Sequence, residues 1–216
     1  KKILAKYKGK ATPQAMVESA KQHLKILEDL NFRNTIVSLK ASDVPRTIEA
    51  YQLFSKKYDY PVHLGITEAG TVWSGSIKSA IGIGSLLSQG IGDTIRVSLT
   101  GSVTEEIRVG FEILKSLGLR QRGPILISCP TCGRTEIDVI GLANKVELAI
   151  TQIKKPIKVA VMGCVVNGPG EAREADIGVA GGKHLGAIFV KGKVIKTVPE
   201  DKILSTLLSE IRRLGR

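Results

Sequence analysis

"DTIRVSLTGSVTEEIRVGFEILKSLG", residues 93–118, contains one complete strand-to-helix unit, and the fold follows from how the chain repeats it. Residues 93–99 read as a strand. Ser102 and Glu105 stand at capping-box spacing, a hydroxyl for the first free amides and a carboxylate able to reach back. Ile107, Phe111, Leu114 and Leu117 then recur at three- and four-residue intervals, the apolar stripe of an amphipathic helix, and Gly118 supplies its C-terminal stop.

Upstream, the same unit recurs. Thr12 and Pro13 combine an N-cap hydroxyl with a proline at the first helical position, and Met16, Ala20, Leu24, Leu27 and Leu30 carry a helix over residues 13–31. "TIVSLKAS" (35–42) reads as an apolar strand, after which Pro45 opens a helix bearing Ile48 and Leu53. "PVHLGITEAG" (61–70) is strand then loop, and residues 75–89 form a helix rich in small residues. Apolar strands without polar alternation, each followed by a helix, predict a parallel sheet shielded by helices. Three such units cannot close an eight-stranded barrel, so residues 1–118 are either the last part of a barrel or a small open α/β layer.

Downstream, the turn-rich "GLRQRGP" (118–124) marks a boundary near Gly123. Beyond it "PILIS", "IKVAVMG", "DIGVAGG", "GAIFV" and "KVIKTV" read as short strands, with helices near 136–153 and over 199–213. The chain therefore divides into residues 1–122 and 123–216.

Cys129 and Cys132, in "ILISCPTCGRTEIDV", end the first strand of the second region, and Cys164 ends the next. Their thiols converge only if the two strands are neighbours. Zinc would need a fourth ligand, and His23, His63 and His184 are poorly spaced for it. An iron–sulfur cluster can be held by three cysteines with one iron open. A dithiol beside a separate buried Cys164 is the plain alternative. In the first region Lys40 ends "VSLK", Glu68 follows "HLGIT", and Arg96 and Ser98 alternate along "IRVSL" to face the same side. Functional groups of a barrel belong at such strand ends. His63 reads as a histidine packed into the barrel core.

Composition narrows the function. The chain has 216 residues and a net charge of +12, spread over both regions instead of gathered in a tail. Four Phe, four Tyr and one Trp offer few stacking platforms, and no nucleic-acid-binding motif is present; a solvated basic surface or an anionic small substrate accounts for the charge as well as nucleic acid would. No apolar run approaches the roughly 18 residues of a membrane span, and "KKILAKYKGK" lacks a signal-peptide core. Three cysteines are an odd number for a secreted disulfide framework and suit a cytoplasmic protein.

"CPTCGR", followed by "GCVVNGPGEA", resembles the C-terminal domain of the 4-hydroxy-3-methylbut-2-enyl diphosphate synthase family, iron–sulfur oxidoreductases of non-mevalonate isoprenoid biosynthesis. "VSLKASD", "HLGITEAG", "SGSIKSAIGIG", "GIGDTIRVSL" and "EEIRVGFEILKSLGLR" are similar to the last part of that family's barrel, in the same order, so the resemblance covers essentially the whole chain.

The resemblance implies an α/β fold: a partial TIM-type (β/α) barrel, its last three strand–helix units, followed by a small α/β iron–sulfur domain. It implies a [4Fe–4S] cluster held by Cys129, Cys132, Cys164 and the carboxylate of Glu171. Lys40, Arg96 and Ser98 would bind the substrate's diphosphate, and Glu68 would be the catalytic acid or orienting group. The implied reaction is the two-electron reductive ring opening of 2-C-methyl-D-erythritol 2,4-cyclodiphosphate to 4-hydroxy-3-methylbut-2-enyl diphosphate, with ferredoxin or flavodoxin as electron donor. A head-to-tail homodimer is implied, each cluster domain closing over the partner's barrel. The chain lacks the first barrel strands of that family and is expected to be a fragment, inactive by itself. The competing expectation is a non-catalytic iron–sulfur electron carrier, which would have no use for the charged groups at strand ends.

Overall fold

Residues 1–165 and 174–215 are described by a computed structural model, in which the chain divides into two compact units, Lys1–Arg120 and Gln121–Arg216. In the first unit a short helix, α1 (Lys2–Lys6), precedes α2 (Pro13–Asp29), α3 (Val44–Ser55), α4 (Val72–Leu87) and α5 (Val103–Ser116). Their starts follow from side chains that receive otherwise unpaired amides. Thr12 Oγ1 accepts from the Ala15 amide at 3.2 Å, and Asp43 Oδ1 from the Arg46 amide at 2.8 Å.

The start of α5 departs from the expected capping box. Ser102 Oγ accepts from the Thr104 amide, while Glu105 pairs with Arg108 at 3.9 Å. It is Glu106 whose Oε1 accepts a backbone bond, from the Leu99 amide at 2.8 Å. That bond ties the helix to the end of the preceding strand and sets its rotation. The buried residues of α5 are accordingly Gly110 and Ile113, with Gly110 lying over Val97 and Ile95, whereas the predicted face leaves Ile107 61% exposed. Leu30, placed on the core face of α2 by its spacing, is also exposed.

Three extended segments run parallel between these helices. β1 (His63–Leu64) pairs with β2 (Thr94–Ile95), and single bridges join Val37 to Val62 and Thr71 to Thr100. The ladder between the first two segments is short because α3 interrupts it. The Tyr51 hydroxyl accepts from the Leu39 amide at 3.0 Å and donates to the His63 carbonyl, standing where a direct strand-to-strand bond would be. One turn earlier, Thr47 Oγ1 accepts from the Ala41 amide at 3.1 Å. The backbone is satisfied, but by a helix. Tyr51 and Phe54 are fully buried and centre the core with Leu64, Ile83 and Leu86.

The segments also alternate, contrary to the expectation of uniformly apolar strands. Val37, Leu39, Val62, Leu64, Ile66 and Val97 are buried toward the helices, while Ser38, Lys40, His63, Arg96 and Ser98 occupy the intervening positions. The helices cover one face of this layer, and the alternating positions line the other.

The second unit is a five-stranded sheet of β3 (Ile125–Ser128), β4 (Lys158–Met162), β5 (Ile177–Gly182), β6 (Leu185–Val190) and β7 (Lys193–Pro199), in that spatial order. β3, β4 and β5 are parallel; β6 and β7 add antiparallel. α6 (Val139–Ile150) makes the crossover from β3 to β4, and α7 (Ile203–Gly215) follows a 3-10 turn, Glu200–Lys202. The two helices cover one face, with Val146, Ile150, Leu207 and Ile211 against Val159, Val161, Ile177 and Ile188. Among the described residues no helix is long and apolar enough to cross a membrane.

Candidate functional site

Two groups of side chains, one in each unit, have chemistry beyond packing. In the first unit the polar face of the parallel layer gathers positive charge. Lys40 and His63 are half-buried and Arg96 is exposed. Burial, and then the Arg96 charge, push Lys40 below the usual lysine range. Burial pushes His63 down as well, followed by the charges of Lys40 and Arg96. A bound anion would relieve this mutual repulsion.

Gly65 forms the floor between these cations. A β-carbon there would lie 2.8 Å from the Arg96 carbonyl and 3.0 Å from Lys40 Cδ, so only glycine lets the lysine stem and the neighbouring backbone come this close. Ser98 follows Arg96 on the same side and is half-buried. Glu68 lies beyond the end of β1, exposed, with a left-handed backbone (φ 52°) that side chains other than glycine seldom adopt. Backbone held in that region is often found where a side chain must be aimed.

His63, read from its sequence context as packed into the barrel core, stands half-buried on the face of the layer turned away from the helices, beside Lys40 and Arg96. Its Nδ1 lies 2.7 Å from Thr94 Oγ1 on the adjacent strand, and its carbonyl accepts from Tyr51 and from Ser38 Oγ, the latter at 3.3 Å. Sequence reasoning misses Thr94, Tyr51 and Gly65 as contributors. The signal for His63, Gly65 and Thr94 is the alternation of "VSLK", "VHLGIT" and "DTIRVSL", which has to be followed across all three segments and not along one alone.

In the second unit the thiols sit at adjacent parallel strand ends. Cys129 directly follows β3, and Cys164 comes two residues after β4. β3 and β4 are paired, Ser128 opposite Val161. All three cysteines are free: Cys164 buried, Cys129 half-buried, Cys132 exposed. The Gly163 amide donates to Cys129 Sγ at 3.2 Å, and the Cys129 amide bonds the Val161 carbonyl at 3.3 Å. Thr135 closes the loop by accepting from the Cys132 amide at 3.2 Å and donating its own amide to the Cys132 carbonyl at 3.0 Å. The amide and then the side chain of Arg134 push the Cys132 thiol down.

Soft thiol donors on neighbouring strand ends, with a backbone amide already directed at one sulfur, fit an iron–sulfur cluster in donor type and in the way its sulfurs are supported. Among the described residues no three His, Cys, Asp or Glu are gathered closely enough to hold a metal ion. Glu171, expected as the fourth ligand, lies outside the described residues.

Comparison with known proteins follows the same division. Residues 1–111 match the GcpE TIM-barrel domain, and residues 125–213 match the GcpE protein C-terminal domain. Over 214 residues the chain is 63% identical to the 4-hydroxy-3-methylbut-2-en-1-yl diphosphate synthase (flavodoxin) of Caldanaerobacter subterraneus subsp. tengcongensis, covering 99% of the chain and 60% of that protein. The protein of the same name from Clostridium perfringens is 60% identical over 214 residues, 99% of the chain and 61% of its own length. That of Bacillus velezensis is 57% identical over 215 residues, 100% of the chain and 57% of its own length. The chain thus spans about three fifths of the length of the curated relatives it matches.

Proposed function

The chain belongs to the GcpE family, and from that premise we propose that it carries the substrate-binding and cluster-binding parts of an isoprenoid-pathway oxidoreductase. Residues 1–122 would be the last three strand–helix units of a (β/α) barrel, and residues 123–216 the [4Fe–4S] domain. The substrate is 2-C-methyl-D-erythritol 2,4-cyclodiphosphate. Two electrons enter, a ring C–O bond opens toward the diphosphate, one hydroxyl leaves as water, and 4-hydroxy-3-methylbut-2-enyl diphosphate results.

The observation that supports this reading best is the cationic face. Lys40, Arg96 and Ser98 hold the diphosphate by point charge, planar fork and hydroxyl. Glu68, beyond the strand end, orients the substrate or moves a proton near the reacting carbons. Cys129, Cys132, Cys164 and Glu171 would hold the cluster, which when bound would supply electrons singly and a Lewis-acidic iron, the carboxylate being a weaker ligand than a thiolate. The electron donor is flavodoxin, which the names of the relatives specify for those proteins.

The same reading places the enzyme in the cytoplasm as a head-to-tail homodimer and has this chain inactive by itself. A protein that only relays electrons has no need of a strand-end anion site, so the carrier alternative leaves Lys40, Glu68, Arg96 and Ser98 without a purpose. The test is iron and acid-labile sulfide analysis of protein purified without oxygen: about four irons and four sulfides per chain support the proposal, and stoichiometric zinc without sulfide refutes it.

A further inference from the structure

The function just proposed makes no use of His63. The side chain stands on the middle one of three parallel segments, flanked by the segments that carry Lys40 and Arg96. Its main chain is fixed through its carbonyl by Tyr51 and Ser38, and one ring nitrogen is held 2.7 Å from Thr94 Oγ1. A threonine hydroxyl both donates and accepts, so it can partner either tautomer of the neutral ring or the imidazolium. The residue is half-buried rather than enclosed, on a face it shares with charged and hydroxyl side chains.

The charges around it are unequal. On the first segment Lys40 faces it, and on the third Arg96 does; both oppose a proton on the ring. Asp93, at the start of the third segment, has its Oδ2 engaged by the Val62 amide at 2.8 Å. Glu68 lies five positions along His63's own segment and is exposed. With no anion present, burial and the two cations disfavour a proton on the imidazole. An anion seated on Lys40 and Arg96 cancels the field that holds the proton away.

We propose that His63 is a proton-linked member of the anion site, neutral while the face is empty and protonated from solvent when a diphosphate binds, so that a third positive charge forms beside Lys40 and Arg96. This rests on the reading of that face as a diphosphate site. Binding of the anion and of the proton then reinforce one another, as linked equilibria must.

The experiment is an NMR titration of the chain carrying ¹³C-labelled histidine, with and without saturating inorganic pyrophosphate. The sequence has three histidines, and the His63 signal is identified by its loss in His63→Gln or, independently of that variant's folding, by its displacement in Thr94→Val. Without ligand, His63 should titrate below the usual histidine range. With pyrophosphate it should move up by about one pH unit or more, and the wild-type-to-His63→Gln affinity ratio should rise about tenfold for each such unit as the pH falls from 8 to 6. Pyrophosphate that binds without moving the His63 titration overturns this inference alone. Failure of pyrophosphate to bind at all overturns the diphosphate reading of the face, and the inference with it.

Discussion

Replacing Tyr51 with phenylalanine tests the reasoning about how the cationic face is held in place. The ring is fully buried, and its hydroxyl is spliced between the Leu39 amide and the His63 carbonyl. Phenylalanine keeps the packing and removes the bridge. The His63 carbonyl still accepts from Ser38 Oγ, so the principal loss is one buried amide without a partner. That costs about 2 kcal/mol, which for a chain of this size lowers Tm by on the order of 6 °C.

A second signature comes from pH. Burial, against the opposing bonds from Leu39 and Ser38, pushes the Tyr51 hydroxyl up from 10.0 to about 12. The neutral phenol is favoured in the fold, so this contribution is complete below pH 10, where the unfolded chain also keeps its proton. It is lost as the pH rises toward 12, by ~3 kcal/mol in all. Urea unfolding followed by near-ultraviolet circular dichroism suits the purpose, because all four tyrosines and the single tryptophan lie in the first unit. The wild-type advantage of about 2 kcal/mol at pH 8 should vanish between pH 10 and 12. A variant within about 0.5 kcal/mol of wild type at pH 8, the ordinary range of a neutral substitution, or a gap that ignores alkaline pH, would refute the bridging role.

Other expectations follow from the same geometry. Gly65→Ala forces the Arg96 carbonyl and the Lys40 stem apart, and calorimetry should show pyrophosphate affinity about tenfold weaker, ~1.4 kcal/mol, with the circular dichroism unchanged; unaltered affinity would mean the two cations do not act as a pair. Cys132→Ser should abolish the brown colour and the iron content of anaerobic protein, whereas Glu171→Ala should assemble a cluster that is lost more quickly in air; a Glu171→Ala cluster as stable in air as that of the wild type would remove Glu171 from the ligand set. In a full-length enzyme carrying this sequence, Glu68→Gln should lose most of kcat while KM holds, because an acid or orienting charge acts mainly in the transition state. In the same full-length enzyme, inactive Glu68→Ala and Cys164→Ser subunits should regain activity when mixed if each active site combines two chains, and mixed dimers that stay inactive would exclude that assembly.

Much of the fold is legible in the sequence because its determinants are local. The helix starts at Thr12–Pro13 and near Pro45, the stop at Gly118 and the strands leading to Cys129 and Cys164 all follow from backbone preferences of a few adjacent residues. The cysteines are legible as well, since thiols where strands run into turns are natural donors to a soft metal group, and the pairing of β3 with β4 puts two of those ends side by side. The face of α5 is not. Periodicity identifies a stripe, but a tie from Glu106 to the Leu99 amide turns another stripe inward.

What the sequence by itself determined, then, is the order and type of the elements after the short helix Lys2–Lys6, the family, and which residue types stand at strand ends. Those depend on near neighbours, on capping groups and on hydrophobic spacing. Only the tertiary structure decided that His63 joins Lys40 and Arg96 over Gly65, and that a helix hydroxyl from Tyr51 replaces a rung of the ladder between the strands bearing Lys40 and His63. These residues lie on separate segments, and whether they meet is fixed by strand register and by how closely a backbone without a β-carbon allows its neighbours to approach.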